Sequence, residues 1–363
     1  ALQVHKVFLQ KNNKYLKVFI SMLQNLQSIN LNIEENKKNV ERMWKTLHLI
    51  FPVMSTTFAS FGSMYRGIGK DFIDYLFIDE AGQASPQQAA GALWRSKRAI
   101  IVGDPIQIEP VVTLDETILS DIRKIFNVSE HYIGSTASVQ TMADYANPIG
   151  TYKGEGNKKR IGIPLWVHRR CIEPMFSISN EIAYENKMVL AVDKIGKGKW
   201  HDKDGRAYQA QYVKEHGEFI LKEIERHFKE VEKGEKPSIF VITPFTAVRS
   251  ALIGLVNKHL SKKIEGIQKW SSRSIGTVHT FQGKEADIVY FVTGTDSSTD
   301  GAANWSCIKP NLLNVAVTRA KKEFYVVGDL ERFKTKQYYD VIVQRFEHFQ
   351  QKIEDHTNES QNL

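Results

Sequence analysis

At 363 residues, with a formal net charge of +8 and a pI near 9.2, the chain is long enough to bury two cores and basic enough to suit a polyanionic partner. Two cysteines, Cys171 and Cys307, stand far apart with no metal-ligand spacing, which argues against a disulfide-stapled scaffold and for a reduced, intracellular (cytoplasmic) protein. No run approaches the roughly 20 apolar residues that span a bilayer, and the first residues lack a signal peptide's apolar core, so a soluble protein without a membrane partner is expected.

From Lys6 to about Leu49, apolar residues recur at helical spacing among Lys, Asn and Gln, which predicts two helices broken near Ser28 to Asn32. Met22, Met43 and Trp44 read as core. Strand-like and helix-like segments then alternate: strand at Val53 to Phe58, strand at Tyr75 to Ile78, helix at Ser85 to Trp94, strand at Arg98 to Val102. Apolar β-rich runs alternating with helices predict an α/β fold of doubly wound parallel sheets. A basic, Gly-rich stretch at 152–160 marks a boundary or loop, with nucleic-acid contact as its alternative role. Beyond it come a helix at Pro174 to Asn186, a turn at Lys194 to Lys199 and a helix at Val213 to Glu232. Strands are expected at Ile239–Thr243, Ser274–Val278, Ile288–Thr293 and Phe324–Gly328, and a frayed polar end from Ile353. The expected organisation is 1–50 helical lead-in, 51–160 the carboxyl-terminal part of a first domain, 161–345 a second domain, and 346–363 a polar tail.

Two strand ends carry the chemistry. Leu76-Phe-Ile-Asp-Glu-Ala-Gly-Gln83 ends in an acidic pair: Asp79 could hold Mg²⁺ through water, and Glu80 could orient and deprotonate an attacking water. About twenty positions on, Ile100-Ile-Val-Gly-Asp-Pro-Ile-Gln107 places Gln107 on a neighbouring loop, where an amide can sense a terminal phosphate. A Gly-x-x-x-x-Gly-Lys-Ser/Thr loop is missing from the sequence. The nearest candidate, Gly62 to Asp71, reads as a surface turn, because Lys70 is followed by aspartate where a hydroxyl is needed. The chain is therefore read as the carboxyl-terminal portion of a motor whose phosphate loop lies upstream. In the second half Val167-His-Arg-Arg-Cys171, Gly276-Thr-Val-His-Thr-Phe-Gln-Gly-Lys-Glu285 and Asn314-Val-Ala-Val-Thr-Arg-Ala-Lys321 each set a charged donor among small residues. Arginine neutralises charge on a transferring phosphoryl group. His168 and His279 have no second ligand at coordination spacing and read as packing residues.

The ordered set of these motifs, with Ser179-Asn-Glu-Ile-Ala-Tyr184 and Ile242-Thr-Pro-Phe245 between them, resembles superfamily 1B helicases, the group of the nonsense-mediated-decay RNA helicase and its bacterial AAA-type relatives. The resemblance spans roughly residues 50–330. It implies two RecA-like domains, the first incomplete at its amino-terminal side, with ATP and Mg²⁺ as cofactors. It also implies stepwise 5′-to-3′ translocation on single-stranded nucleic acid. By that resemblance Asp79 coordinates Mg²⁺, Glu80 is the general base, and Gln107 couples phosphate state to movement. Arg170 and Arg319 are arginine fingers, and Asp104, Gly283 and Glu285 belong with the nucleotide contacts. Arg169 stands where eukaryotic relatives carry an adenine-stacking tyrosine. Ser55, Thr56, Thr243, Pro244, Phe245 and Thr277 match strand-contacting motifs, although Thr243 and Thr277 could equally cap strands.

Three readings compete: a helicase fragment, an ATPase-inactive scaffold derived from a helicase, and a motor fused upstream to a nuclease or kinase-like module. The missing central strand would expose apolar faces near 98–102, leaving the first domain less stable than the second or self-associated.

Overall fold

A computed structural model of the chain describes residues 2–104, 106–107, 109–153, 159–192, 194–208, 210–232, 234–281 and 283–361. The backbone separates into two compact units, 1–105 with 109–162, and 106–108 with 163–363.

The first unit opens with helices Leu2–Lys11, Asn13–Gln24 and Glu34–Ile50. The lead-in thus holds a further break at Asn12, whose side-chain amide bonds back to the Phe8 carbonyl instead of continuing the helix. Trp44 is fully buried and stacks on Tyr65 at 4.6 Å between ring centroids, and Met43, Val40, Leu47 and Phe61 complete the cluster. Met22 packs against it. Arg66 ties down the turn after the second helix by donating to the carbonyls of Leu26, Gln27 and Ile29 at 2.9–3.1 Å. The strand expected at Val53 to Phe58 is not one. Residues 53–57 are irregular, and helix Phe58–Met64 starts where the Thr57 hydroxyl accepts from the Ser60 amide. Strands β1 (Ile73–Ile78) and β2 (Ser96–Ile101) pair in parallel, joined through helix Pro86–Trp94.

The second unit is built on a five-stranded, all-parallel sheet. Its strands are β3 (Lys197–Asp202), β4 (Ile239–Thr243), β5 (Ile275–Thr277), β6 (Ala286–Val292) and β7 (Ala320–Gly328), in spatial order β5-β4-β6-β7-β3. Buried residues fill both faces: Val241, Tyr290 and Val292 pack on helices Lys214–Glu230 and Thr246–Leu260, while Ile242, Phe291 and Val326 pack on Met175–Tyr184 and Asn311–Val317. This is the doubly wound α/β architecture that the apolar runs predict.

Two expectations are corrected here. The turn placed at Lys194 to Lys199 gives way to edge strand β3, whose alternating lysines face solvent. Gly198 lies so close to the Phe346 ring that a β-carbon would collide with it. The polar tail is the latter part of helix Tyr339–Gln361, with Phe346 and Phe349 buried. Among the described residues no helix is long and apolar enough to cross a membrane.

Candidate nucleotide and strand sites

In the first unit the carboxyl ends of β1 and β2 lie side by side, with Ile78 paired to Ile101. The chain ends are stitched together by Val102 N to Ile78 O at 2.8 Å and Ala81 N to Val102 O at 3.0 Å. The two loops approach so closely that only glycine fits. A β-carbon on Gly103 would sit 2.7 Å from the amides of Ala81 and Gly82, and one on Gly82 would sit 2.8 Å from the Asp104 carbonyl. Asp79 and Glu80 thus stand beside Gly103 and Asp104. Glu80 adopts a left-handed backbone (φ 54°), a conformation non-glycine residues take only where the surroundings enforce it. Its amide donates to Asp79 Oδ1 at 2.9 Å and its carboxylate accepts from Gln83 Nε2 at 3.0 Å. Gln83 was not singled out by sequence reasoning; its spacing three residues after Glu80 was the available signal. The exposed Asp79 leaves its second oxygen open to a hydrated cation. The Gly62 to Asp71 segment starts in helix Phe58–Met64 and only from Tyr65 runs through turns: Gly67 has φ 83°, a β-carbon there would meet Leu31 at 3.0 Å, and Lys70 pairs with Asp71 at 3.7 Å on the surface. Ser55 and Thr56 lie on the exposed approach to helix Phe58–Met64.

Gln107 groups with the second unit, where its carbonyl accepts from Asn311 Nδ2 and neighbouring Ile106 packs into the apolar core. The remaining candidates divide between the two ends of the large sheet. Near the amino ends of β6 and β7, Glu285 meets Arg170 (Nε, 3.4 Å) and Lys321 (Nζ, 3.5 Å). Arg170 and Arg169 are exposed, whereas Arg319 is 1% exposed. Arg319 donates to the carbonyls of Val315 (3.1 Å) and Lys284 (3.0 Å) and to Thr318 Oγ1 (3.2 Å), so its fork braces the loop that carries Gly283 and Glu285. Gly283 has φ 73°, which favours glycine. His168 Nε2 accepts from the Cys171 amide at 2.9 Å; burial, and then the charge of Arg170, hold its pKa below the usual histidine value. Burial pushes the Cys171 thiol up to about 12, so it stays protonated and inert.

At the carboxyl ends, Thr243 and Thr277 are register partners on β4 and β5. Thr243 is wholly buried and its hydroxyl accepts from the Phe245 amide at 3.4 Å, which shapes the turn presenting Pro244 and Phe245. Thr277 Oγ1 lies 3.3 Å from Thr280 Oγ1. Residues 154–158 of the basic 152–160 loop lie outside the described residues.

Two AAA domain families match the chain, one over residues 2–114 and the other over 159–331. Among curated proteins, the DNA replication ATP-dependent helicase/nuclease DNA2 of Gallus gallus is 24% identical, covering 70% of this chain and 23% of its own length. The probable helicase senataxin of Mus musculus is 24% identical over 88% of this chain and 12% of its own length. The chain belongs to the superfamily 1 helicases. It spans about a quarter or less of the length of these relatives. The DNA polymerase alpha-associated DNA helicase A of Saccharomyces cerevisiae is 23% identical, covering 88% of this chain and 48% of its own length. Among solved structures the PRRSV helicase aligns at a TM-score of 0.35 and 14% identity, over 72% of this chain and 36% of that one, a likeness too slight to place any residue.

Proposed function

We propose that this chain is part of an ATP-dependent helicase motor that moves 5′ to 3′ along single-stranded nucleic acid, and that alone it binds the strand without sustained ATP turnover. The observation that carries the reading is the contact between the Asp79-Glu80 and Gly103-Asp104 loops at the carboxyl ends of two parallel strands, the usual position for ligands in an open α/β sheet. Magnesium needs only one or two carboxylates beside water and phosphate, and the exposed Asp79 suits it. Among the described residues no cluster of three or more His, Cys, Asp or Glu offers an all-protein cage, in keeping with a cation that arrives with the nucleotide. ATP supplies the transferable phosphoryl group; Glu80, held by Gln83, orients the water; Arg170 meets the developing charge; Arg319 holds the Gly283 to Glu285 loop. Arg169 and Asp104 complete the nucleotide contacts in this scheme, Gln107 reports phosphate state, and Ser55, Thr56, Pro244, Phe245 and Thr277 line the strand.

The missing Gly-Lys-Ser/Thr loop favours a second reading, a strand-binding scaffold without hydrolysis. ATP hydrolysis with and without single-stranded DNA and RNA separates the two. In a longer chain that carries a phosphate loop, strand-stimulated turnover should appear and vanish in Glu80→Gln. Turnover indifferent to Glu80→Gln sinks the motor assignment, and turnover by this chain alone sinks the claim that it lacks a phosphate cradle.

A further inference from the structure

Between β4 and β6 the sheet has a topological switch. The two strands are neighbours, yet β4 leads on to β5 on one side and β6 to β7 on the other. Connections that diverge in this way leave a crevice beyond the carboxyl ends of the strands, where open α/β sheets bind ligands. Phe245 enters it from the turn after β4. Trp305 enters it from helix Asp300–Trp305, which follows β6, and the ring centroids lie 5.9 Å apart with planes at 41°. Trp305 is 50% exposed, so a flat ligand can reach its ring. The backbone beneath is tightly fitted: Gly294 has φ 60°, and a β-carbon there would lie 2.9 Å from Val248 and 3.5 Å from the Phe245 ring.

Charge at this crevice favours an anion. Arg249 begins one turn beyond Phe245, its amide bonded to the Phe245 carbonyl at 3.1 Å, and its Nε is buried without a hydrogen-bond partner among the described residues. Asp300, on the same helix as Trp305, is neutralised by Arg332 (3.0 Å) and Lys336 (3.2 Å). A flat apolar surface next to a helix that carries an arginine with one unpartnered nitrogen among the described residues suits a nucleotide unit of a single strand, whose base stacks on any aromatic face while its phosphate seeks a cation. We propose that Trp305 and Phe245 form a stacking platform for one base of the bound strand, with Arg249 on the adjoining phosphate. The proposal rests on the strand-binding reading and adds Trp305 and Arg249, which belong to none of the sequence motifs.

The test is fluorescence anisotropy of labelled oligothymidylate and oligouridylate binding to the full chain across a salt series. Trp305→Ala should weaken binding by about 5- to 100-fold with an unchanged salt slope, since stacking releases no counterions. Trp305→Phe should recover most of the affinity. Arg249→Gln should lower the salt slope by about one unit. A control at exposed Trp94 in the first unit, Trp94→Ala, should bind as the unaltered chain does. Equal binding by the unaltered chain and Trp305→Ala overturns the platform while leaving strand binding intact. An unaltered chain that binds neither oligonucleotide overturns both.

Discussion

Arg319 was expected at the phosphates, yet its side chain is enclosed. Among the described residues, replacing it by alanine removes two well-formed hydrogen bonds to the Val315 and Lys284 carbonyls and one to the Thr318 hydroxyl; the contact to Phe281 O, at 3.5 Å, is too long to count. A bond from a charged donor contributes about 1.5–3 kcal/mol, and a carbonyl left buried and unpaired costs about 1–3 kcal/mol. Allowing for relaxation and partial rehydration, Arg319→Ala should destabilise the second unit by about 3–5 kcal/mol, in the range for breaking a buried charged network. Arg319→Lys keeps the charge but not the planar fork and should cost about 2 kcal/mol. Because two units unfold, urea melts alone will not isolate the effect. Hydrogen exchange of helix Asn311–Val317 read against urea reports the second unit directly. In a longer chain that carries a phosphate loop, loss of strand-stimulated hydrolysis in Arg319→Ala with stability changed by less than about 0.5 kcal/mol would refute the bracing role and return Arg319 to the phosphates.

Two further outcomes are expected. His168 has its pKa lowered by burial and by Arg170, so the fold favours the neutral ring and the unfolded chain binds more protons. The associated stability is present above the unfolded value of about 6.5 and is lost as pH falls through that value toward the lower folded one. NMR titration of the ring should give a pKa below 6.5, and an ordinary or raised value contradicts the Cys171 amide bond. On the first unit, Tyr75, Phe77 and Ile100 are exposed on one face of the β1–β2 pair, with Phe77 70% exposed and in register with Ile100. The unaltered chain should associate with rising concentration in sedimentation velocity, and Phe77→Lys should suppress it. A monomer with equal hydrogen-exchange protection in both units counts against the idea.

Elements with strong local patterning were legible in the sequence. The short apolar runs at Ile239–Thr243 and 288–292 were expected as buried strands and are strands, and the acidic pair and its Gly-Asp partner were placed at strand ends because each follows such a run. β3 was missed because an edge strand with lysines outward and a glycine under Phe346 has the composition of a turn. Val53 to Phe58 was misread because its β-branched residues are spent on a helix cap and an exposed approach. The long final helix hides two buried phenylalanines among polar residues. Nothing local marks Arg319 as buried; its enclosure comes from the loop at Phe281 to Lys284, more than thirty positions earlier in the chain. Trp305 lies outside every motif and becomes visible only when the chain brings it to Phe245.

The second unit keeps its two sets of candidate residues at opposite ends of one sheet. β6 alone, at seven residues, holds them about 20 Å apart. The intervening interior is close-packed on both faces, with Val289, Phe291 and Val326 fully buried on one and Val241, Val292 and Val327 on the other, and such interiors resist compression. A small displacement imposed at the Arg170–Glu285 end therefore has no soft material in which to dissipate. The block is a stiff strut: a tilt imposed at one end swings the other through an arc without any bond along the strands being remade.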